Sequence, residues 1–175
     1  MKYALTYGLL SGSVVVLTIL AGLGLRDELH FLGSEWFGYL VMLVALTFIF
    51  VGVKRYRDVE RGGVVKFGPA FLMGLSIAVV AALAYVVIWE GYLAATGYRF
   101  MDEYIAAERE KLVAAGVSGD ALSTKMAGYE SMREMYANPL LRVAITFLEI
   151  IPVGLVVALV SAALLRNPKL LPAAR

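Results

Sequence analysis

Along the chain, stretches in which almost every position is apolar alternate with short polar connections, and one longer segment follows a different rhythm. The apolar stretches cover about 3–25, 36–53, 68–93 and 140–165. Each matches the roughly 17–25 residues a helix needs to cross a hydrocarbon core about 30 Å thick. Between the third and fourth stretches, apolar residues recur at mostly helical spacing: Phe100, Met101, Tyr104, Ile105, Leu112 and Val113, then Leu122, Met126, Tyr129, Met132 and Tyr136. Asp102 and Glu103 suit an opening turn, Gly116 an end, Ser118-Gly119-Asp120 a restart, and Asn138-Pro139 a stop before the last stretch. The pattern predicts an all-α polytopic membrane protein, with four transmembrane helices and an extracytoplasmic amphipathic helical hairpin over about 99–137. Residues 1–175 then form a single membrane domain, with no room for a second globular one.

Composition agrees with that pattern. Hydrophobic residues make up 61% of the chain and charged residues 17%, against about 45–50% and about 25% in a soluble domain. A net charge of +2 gives no general affinity for nucleic acid. The chain has no cysteine, which removes disulfides, thiolate metal sites and cysteine nucleophiles together. The first apolar stretch is longer than the roughly 7–15 residues of a signal's core, so it reads as a retained span.

The distribution of basic residues sets an expected orientation. Lys54, Arg55, Arg57, Arg61 and Lys66 fall within 13 positions after the second stretch; Lys2 lies at one terminus, and Arg166, Lys169 and Arg175 at the other. The 26–35 connection opposes one Arg with Asp27, Glu28 and Glu35. Cytoplasmic loops carry the Lys and Arg excess, so both termini read as cytoplasmic and the 26–35 and 94–139 segments as external. The same basic loop offers contacts to anionic lipid head groups, worth about 1 kcal/mol per cation near the surface. Gly62-Gly63 marks a turn within it, and Pro69 suits the first turn of the next span. His30 has no companion at metal-ligand spacing and reads as interface decoration.

Small residues set how spans approach one another in lipid. Gly8 and Gly12 form such a pair on the first span, Gly74, Ala78 and Ala82 a ridge on the third, and Gly154, Ala158 and Ala162 one on the fourth. Internal packing is the expected use, with homodimerisation the alternative. Trp36, Tyr39, Trp89, Tyr92, Tyr98 and Tyr136 suit the outer interface. Met101, Met126, Met132 and Met135 are soft enough for Cu(I), but methionine also fills irregular gaps, and packing is the reading adopted.

The polar residues within the fourth span carry the candidate chemistry. Glu149 lies about 13 Å into that stretch at helical rise. An acidic residue at such depth costs about 2.5–3.5 kcal/mol on insertion scales, which the span's Leu, Ile, Val and Phe residues outweigh with roughly 5–10 kcal/mol. Arg142 and Thr146 share its helical face, Pro152 removes a backbone bond next to it, and Tyr85, Thr18 and Thr47 offer hydroxyls at similar depth. Glu90 is level with Arg142 if the third and fourth spans are antiparallel neighbours. One reading is a structural clamp, with Glu149 bonded to a hydroxyl or to Arg142. The other is a titrating group in a transport path. No phosphate-cradling glycine loop, HExxH motif or recognisable nucleophile–base arrangement is present, and no cofactor is implied.

Four segments taken together resemble a known family: Gly52-Val53-Lys54-Arg55-Tyr56-Arg57-Asp58, Phe67-Gly68-Pro69-Ala70-Phe71, Tyr136-Ala137-Asn138-Pro139 and Thr146-Phe147-Leu148-Glu149-Ile150-Ile151-Pro152-Val153-Gly154. They are similar to the domain of unknown function 4199 family of bacterial multi-pass membrane proteins. The resemblance implies a four-span protein of the bacterial inner membrane and brings no substrate or catalytic residue. The functional expectation is a non-enzymatic scaffold or accessory, envelope-associated subunit that contacts membrane lipids and a membrane-protein partner or a second copy of itself. The alternative is a small proton- or ion-linked transporter or channel that uses Glu149.

Overall fold

A computed structural model of the chain describes residues 1–24 and 35–173. The acidic pair and His30 of the 26–35 connection lie outside the described residues. Six α-helices account for most of the rest: α1 Lys2–Gly24, α2 Glu35–Arg55, α3 Phe67–Ala95, α4 Phe100–Ala114, α5 Gly119–Ala137 and α6 Pro139–Leu165. A π-helical turn, Tyr56–Glu60, prolongs α2. Within the helices, Lys2–Gly22, Trp36–Glu60, Phe67–Ala95 and Pro139–Leu165 are long and apolar enough to cross a membrane. Helices are the outcome that hydrocarbon demands, because each backbone N–H and C=O must find its partner inside the segment. The protein is an all-α polytopic membrane protein, and no strand occurs among the described residues.

Two compact units make up the described chain. The first comprises Met1–Ile88 and Phe147–Arg175. Its helices meet at the small residues. A Cβ placed on Gly8 would come 2.5 Å from Val80 Cβ, and one on Gly12 would strike the Ala81 carbonyl oxygen. A Cβ on Gly74 would lie 2.9 Å from Ala158 Cβ, and one on Gly154 would lie 2.8 Å from Ala78 Cβ. Numbers rise along α3 as they fall along α6, so these two helices run antiparallel with their ridges interlocked. Gly52 of α2 faces Ile77 and Tyr7 in the same way. Ser11 donates to the Ala45 carbonyl at 3.0 Å, a buried polar tie between α1 and α2. Leu46, Ile49, Val53, Ile77 and Ile150 fill the space around these contacts. The close approaches are the internal packing expected from the sequence, and they occupy all three glycine ridges.

One end of this unit gathers several polar contacts. The 61–66 connection turns at Gly62 and Gly63, both with positive φ (60° and 85°), which glycine adopts without a Cβ penalty. Lys2 of α1 pairs with Glu60 at 2.6 Å, and the segment after α6 returns to the same place through Arg57. The two ends of the described chain and the α2–α3 connection therefore meet at one end of the bundle.

The second unit is Trp89–Thr146. Beyond the end of α3 at Ala95, the chain turns at Gly97 (φ 65°), and the Tyr98 N–H returns to the Leu93 carbonyl at 2.7 Å. Gly116 (φ 80°) ends α4, as its place in the sequence predicts. The α4–α5 hairpin is held by the Tyr104 and Tyr129 rings at 6.2 Å and by Arg133 with Asp102 at 3.3 Å. Asn138 caps α6, its Oδ1 accepting from the Leu140 and Leu141 N–H groups at 3.0 and 3.4 Å. Met101 is buried within this unit, whereas Met132 and Met135 are exposed.

Candidate functional site

Glu149 and Tyr85 meet in the first unit. Tyr85 is buried on α3, and its hydroxyl donates to Glu149 Oε2 at 3.5 Å, long for an O–H···O bond, which usually spans about 2.5–3.0 Å. Glu149 itself is exposed on α6, beside the outward-facing Leu148 and ahead of Pro152, Leu155 and Leu159. The rotation of α6 explains this. Its buried ridge is Gly154, Ala158 and Ala162, and Glu149, five residues before Gly154, is turned by roughly 140° from it at about 100° per residue. Glu149 therefore sits near the middle of a 27-residue apolar helix, well round from its buried ridge, with its carboxyl reaching back to Tyr85. Thr18 and Thr47, the other hydroxyls expected near that depth, donate instead to their own helices, to the Val14 carbonyl at 2.8 Å and the Val44 carbonyl at 2.6 Å.

Arg142, expected from the sequence as a possible partner for Glu149, is committed elsewhere. In the second unit its Nε and Nη2 donate to the two Glu90 oxygens at 2.7 and 2.9 Å, a bidentate fork. Nη1 donates to the Tyr136 carbonyl at 3.0 Å. The Tyr98 and Tyr136 ring centroids lie 4.8 and 5.9 Å from the guanidinium carbon, within cation–π range. Tyr136 is anchored in turn by the Trp89 indole N–H, which donates to its hydroxyl at 2.6 Å. Trp89 also stands edge-on to Phe100 at 4.9 Å. Arg142 and Thr146 are buried. The six residues grouped by sequence thus separate: Tyr85, Glu149 and Pro152 belong to the first unit, Glu90, Arg142 and Thr146 to the second. The Glu90–Arg142 pairing, expected from antiparallel spans, is present.

The basic connection also divides. Arg55 and Lys66 are exposed, and Arg61 lies over the Tyr56 ring while its Nε donates to the Tyr56 hydroxyl at 2.7 Å. Arg57, by contrast, is completely buried. Its Nε donates to Asp58 at 2.7 Å, and Asp58 is held from its other oxygen by Lys54 at 2.5 Å. Nη1 donates to the Leu170 carbonyl at 2.9 Å and Nη2 to the Leu171 carbonyl. Leu171 adopts a left-handed φ of 48° there. The Lys54, Arg57 and Asp58 side chains thus form a clasp over the segment that follows α6. Sequence reasoning missed this clasp. The one available signal was Asp58, an acid set one residue after Arg57 and four after Lys54.

The family model described as "Protein of unknown function (DUF4199)" matches residues 2–167, and the chain belongs to that family. No curated protein and no solved structure matches it.

Proposed function

We propose that this member of the family is a non-enzymatic scaffold or accessory subunit of the bacterial inner membrane, and that the α6 face bearing Glu149 docks against another protein within the bilayer. The observation that carries this reading is the exposure of Glu149 in the middle of α6. Ionisable side chains at such depth almost always face protein or water rather than acyl chains. A carboxyl left exposed at that depth, with one long bond to Tyr85, therefore calls for a neighbour outside its bundle. Arg142, Thr18 and Thr47 are engaged within the chain, which supports assembly over an internal proton path.

The orientation we propose has both ends of the chain and the α2–α3 connection in the cytoplasm, with the α4–α5 hairpin outside. Exposed Arg55, Arg61 and Lys66 would contact anionic lipid on the cytoplasmic side. The contact of Lys2 with Glu60, and of Arg57 with Leu170, supports one common basic end.

Glu149→Leu tests the assignment. Scaffolding requires that the variant fold normally in detergent and migrate from native membranes in a smaller complex than the wild type. If complex size is unchanged and Glu149→Gln instead abolishes ion flux in proteoliposomes, transport replaces it.

A further inference from the structure

Resting on the lipid contact proposed above for the α2–α3 connection, we infer that the segment after α6 completes a binding site for the head group of an anionic phospholipid. Arg166 and Lys169 join Arg55, Arg61 and Lys66 in it. Charge pairing leads there first. Between Lys54 and Lys66 the acids are Asp58 and Glu60, and after α6 there are none. Asp58 is engaged with Lys54 and Arg57, and Glu60 with Lys2. Arg55, Arg61, Lys66, Arg166 and Lys169 are exposed, and none of them forms an ion pair among the described residues. With no acid left to answer them, they make a surface that lipid phosphate complements.

Depth agrees. Arg61, Lys66 and Arg166 each stand one residue outside an apolar span, beyond Trp36–Glu60, before Phe67–Ala95 and beyond Pro139–Leu165. Two guanidinium groups and an ammonium thus fall at the level of head groups. Val64, Phe67 and Leu171 are exposed in the same segments. Apolar and cationic side chains mixed in this way suit the boundary between acyl chains and phosphates.

The fold then brings the two segments together. Arg57 holds the Leu170 and Leu171 carbonyls, and Ala173 Cβ lies 3.5 Å from the place of a Cβ on Gly63. The last segment is therefore laid along the connection from Arg57 to Gly63. Lys169 adjoins the first contact, and Arg61 and Lys66 flank the second. Arg61 is fixed by the Tyr56 ring and by the Tyr56 hydroxyl, which accepts from its Nε. Its two Nη groups remain to donate outward, the planar fork that matches phosphate. A signal for orientation alone needs only a number of cations; the buried Arg57 adds a fixed place for one of them.

The full-length protein in detergent, titrated with phosphatidylglycerol or phosphatidylcholine and read by native mass spectrometry, tests this. Wild type should bind phosphatidylglycerol the more tightly. Arg166→Gln with Lys169→Gln should weaken that binding about twenty-five-fold, at about fivefold per cation, and leave phosphatidylcholine unchanged. Arg109→Gln with Lys125→Gln removes the same charge from exposed positions of the α4–α5 hairpin and should leave the preference intact. Arg57→Gln alters no exposed cation, yet below its unfolding midpoint it should weaken phosphatidylglycerol about fivefold by releasing Lys169. Suppose Arg166→Gln with Lys169→Gln keeps the full preference, while Arg55→Gln, Arg61→Gln and Lys66→Gln together abolish it. The composite site then falls, and the lipid contact of the connection stands. No preference in the wild type would overturn both. Displacement of phosphatidylglycerol by an equal concentration of glycerol 3-phosphate would assign the site to a soluble phosphate and overturn the lipid.

Discussion

Arg57 donates from Nη1 to the Leu170 carbonyl at 2.9 Å, joining positions 113 residues apart in the chain. The guanidinium is fully buried, and Asp58 answers its charge from the next position. Hydrogen bonds to a charged group contribute about 1.5–3 kcal/mol each. The contact ties the segment after α6 to the α2–α3 connection, and it gives the Lys-x-x-Arg-Asp part of the 52–58 motif a structural purpose.

Removing residues after Arg166 and replacing Arg57 by Gln should therefore be non-additive. Each change alone should destabilise the protein, and the pair should cost less than their sum, with a coupling of about 0.5–3 kcal/mol. Arg57→Lys should not restore stability, because an ammonium cannot present the planar fork that reaches two carbonyls and a carboxylate. Denaturant unfolding in detergent, run as a double-mutant cycle, measures this coupling.

A second expectation concerns Glu90 and Arg142. Arg142→Ala should cost about 3–5 kcal/mol, the usual result of stranding one charge of a buried pair. Changing both residues to Leu should recover much of that loss, since a well-packed apolar pair avoids desolvation altogether. If the double change proves as damaging as the single one, the pair has a role beyond mutual neutralisation. Unfolding midpoints of the three variants decide between these outcomes.

The α3–α6 seam makes a third expectation. Gly154→Ala should push its new methyl into Ala78 and destabilise by about 1–3 kcal/mol, the range for overpacking. Adding Ala78→Gly should return most of this, because the volume moves from one side of the contact to the other. Gly38→Ala meets nothing within 4 Å and should be close to neutral, which makes it the control for the same unfolding assay.

Much of this architecture can be read directly from the letters, for reasons particular residues make plain. The spans are visible because hydrocarbon tolerates few charges across a helix, and the hairpin because Tyr104, Met126 and Tyr129 fall at mostly helical spacing. Ridges such as Gly74–Ala78 and Gly154–Ala158 are visible because only small residues allow such close approach, and their antiparallel order brings Glu90 level with Arg142. Rotation about a helix axis is harder to read. Core and lipid are both apolar, so hydropathy does not separate the buried side of α6 from the exposed one. The Gly154 ridge does report that rotation, and measured from it Glu149 lies roughly 140° round the helix. Arg57 was illegible for another reason. In the sequence it is one cation among five, and only the return of Leu170 and Leu171, far along the chain, encloses it.

Glu149→Leu carries a fourth expectation, on stability alone. The Tyr85 contact is long at 3.5 Å, and polar contacts of this sort inside bilayers average about 0.6 kcal/mol. Its loss should be matched or exceeded by the insertion cost of about 2.5–3.5 kcal/mol that the carboxyl no longer imposes. The isolated variant should unfold at or above the wild-type midpoint in detergent. Marked destabilisation would mean that Glu149 serves as an internal clamp.

The central claim is that the Glu149 face of α6 meets protein within the bilayer. Val156 lies seven residues beyond Glu149, on the same face, and is 58% exposed. A photoreactive side chain at Val156, irradiated in native membranes and resolved by mass, tests the claim most directly. Protein adducts at this position are the expected result; adducts with lipid alone would contradict it.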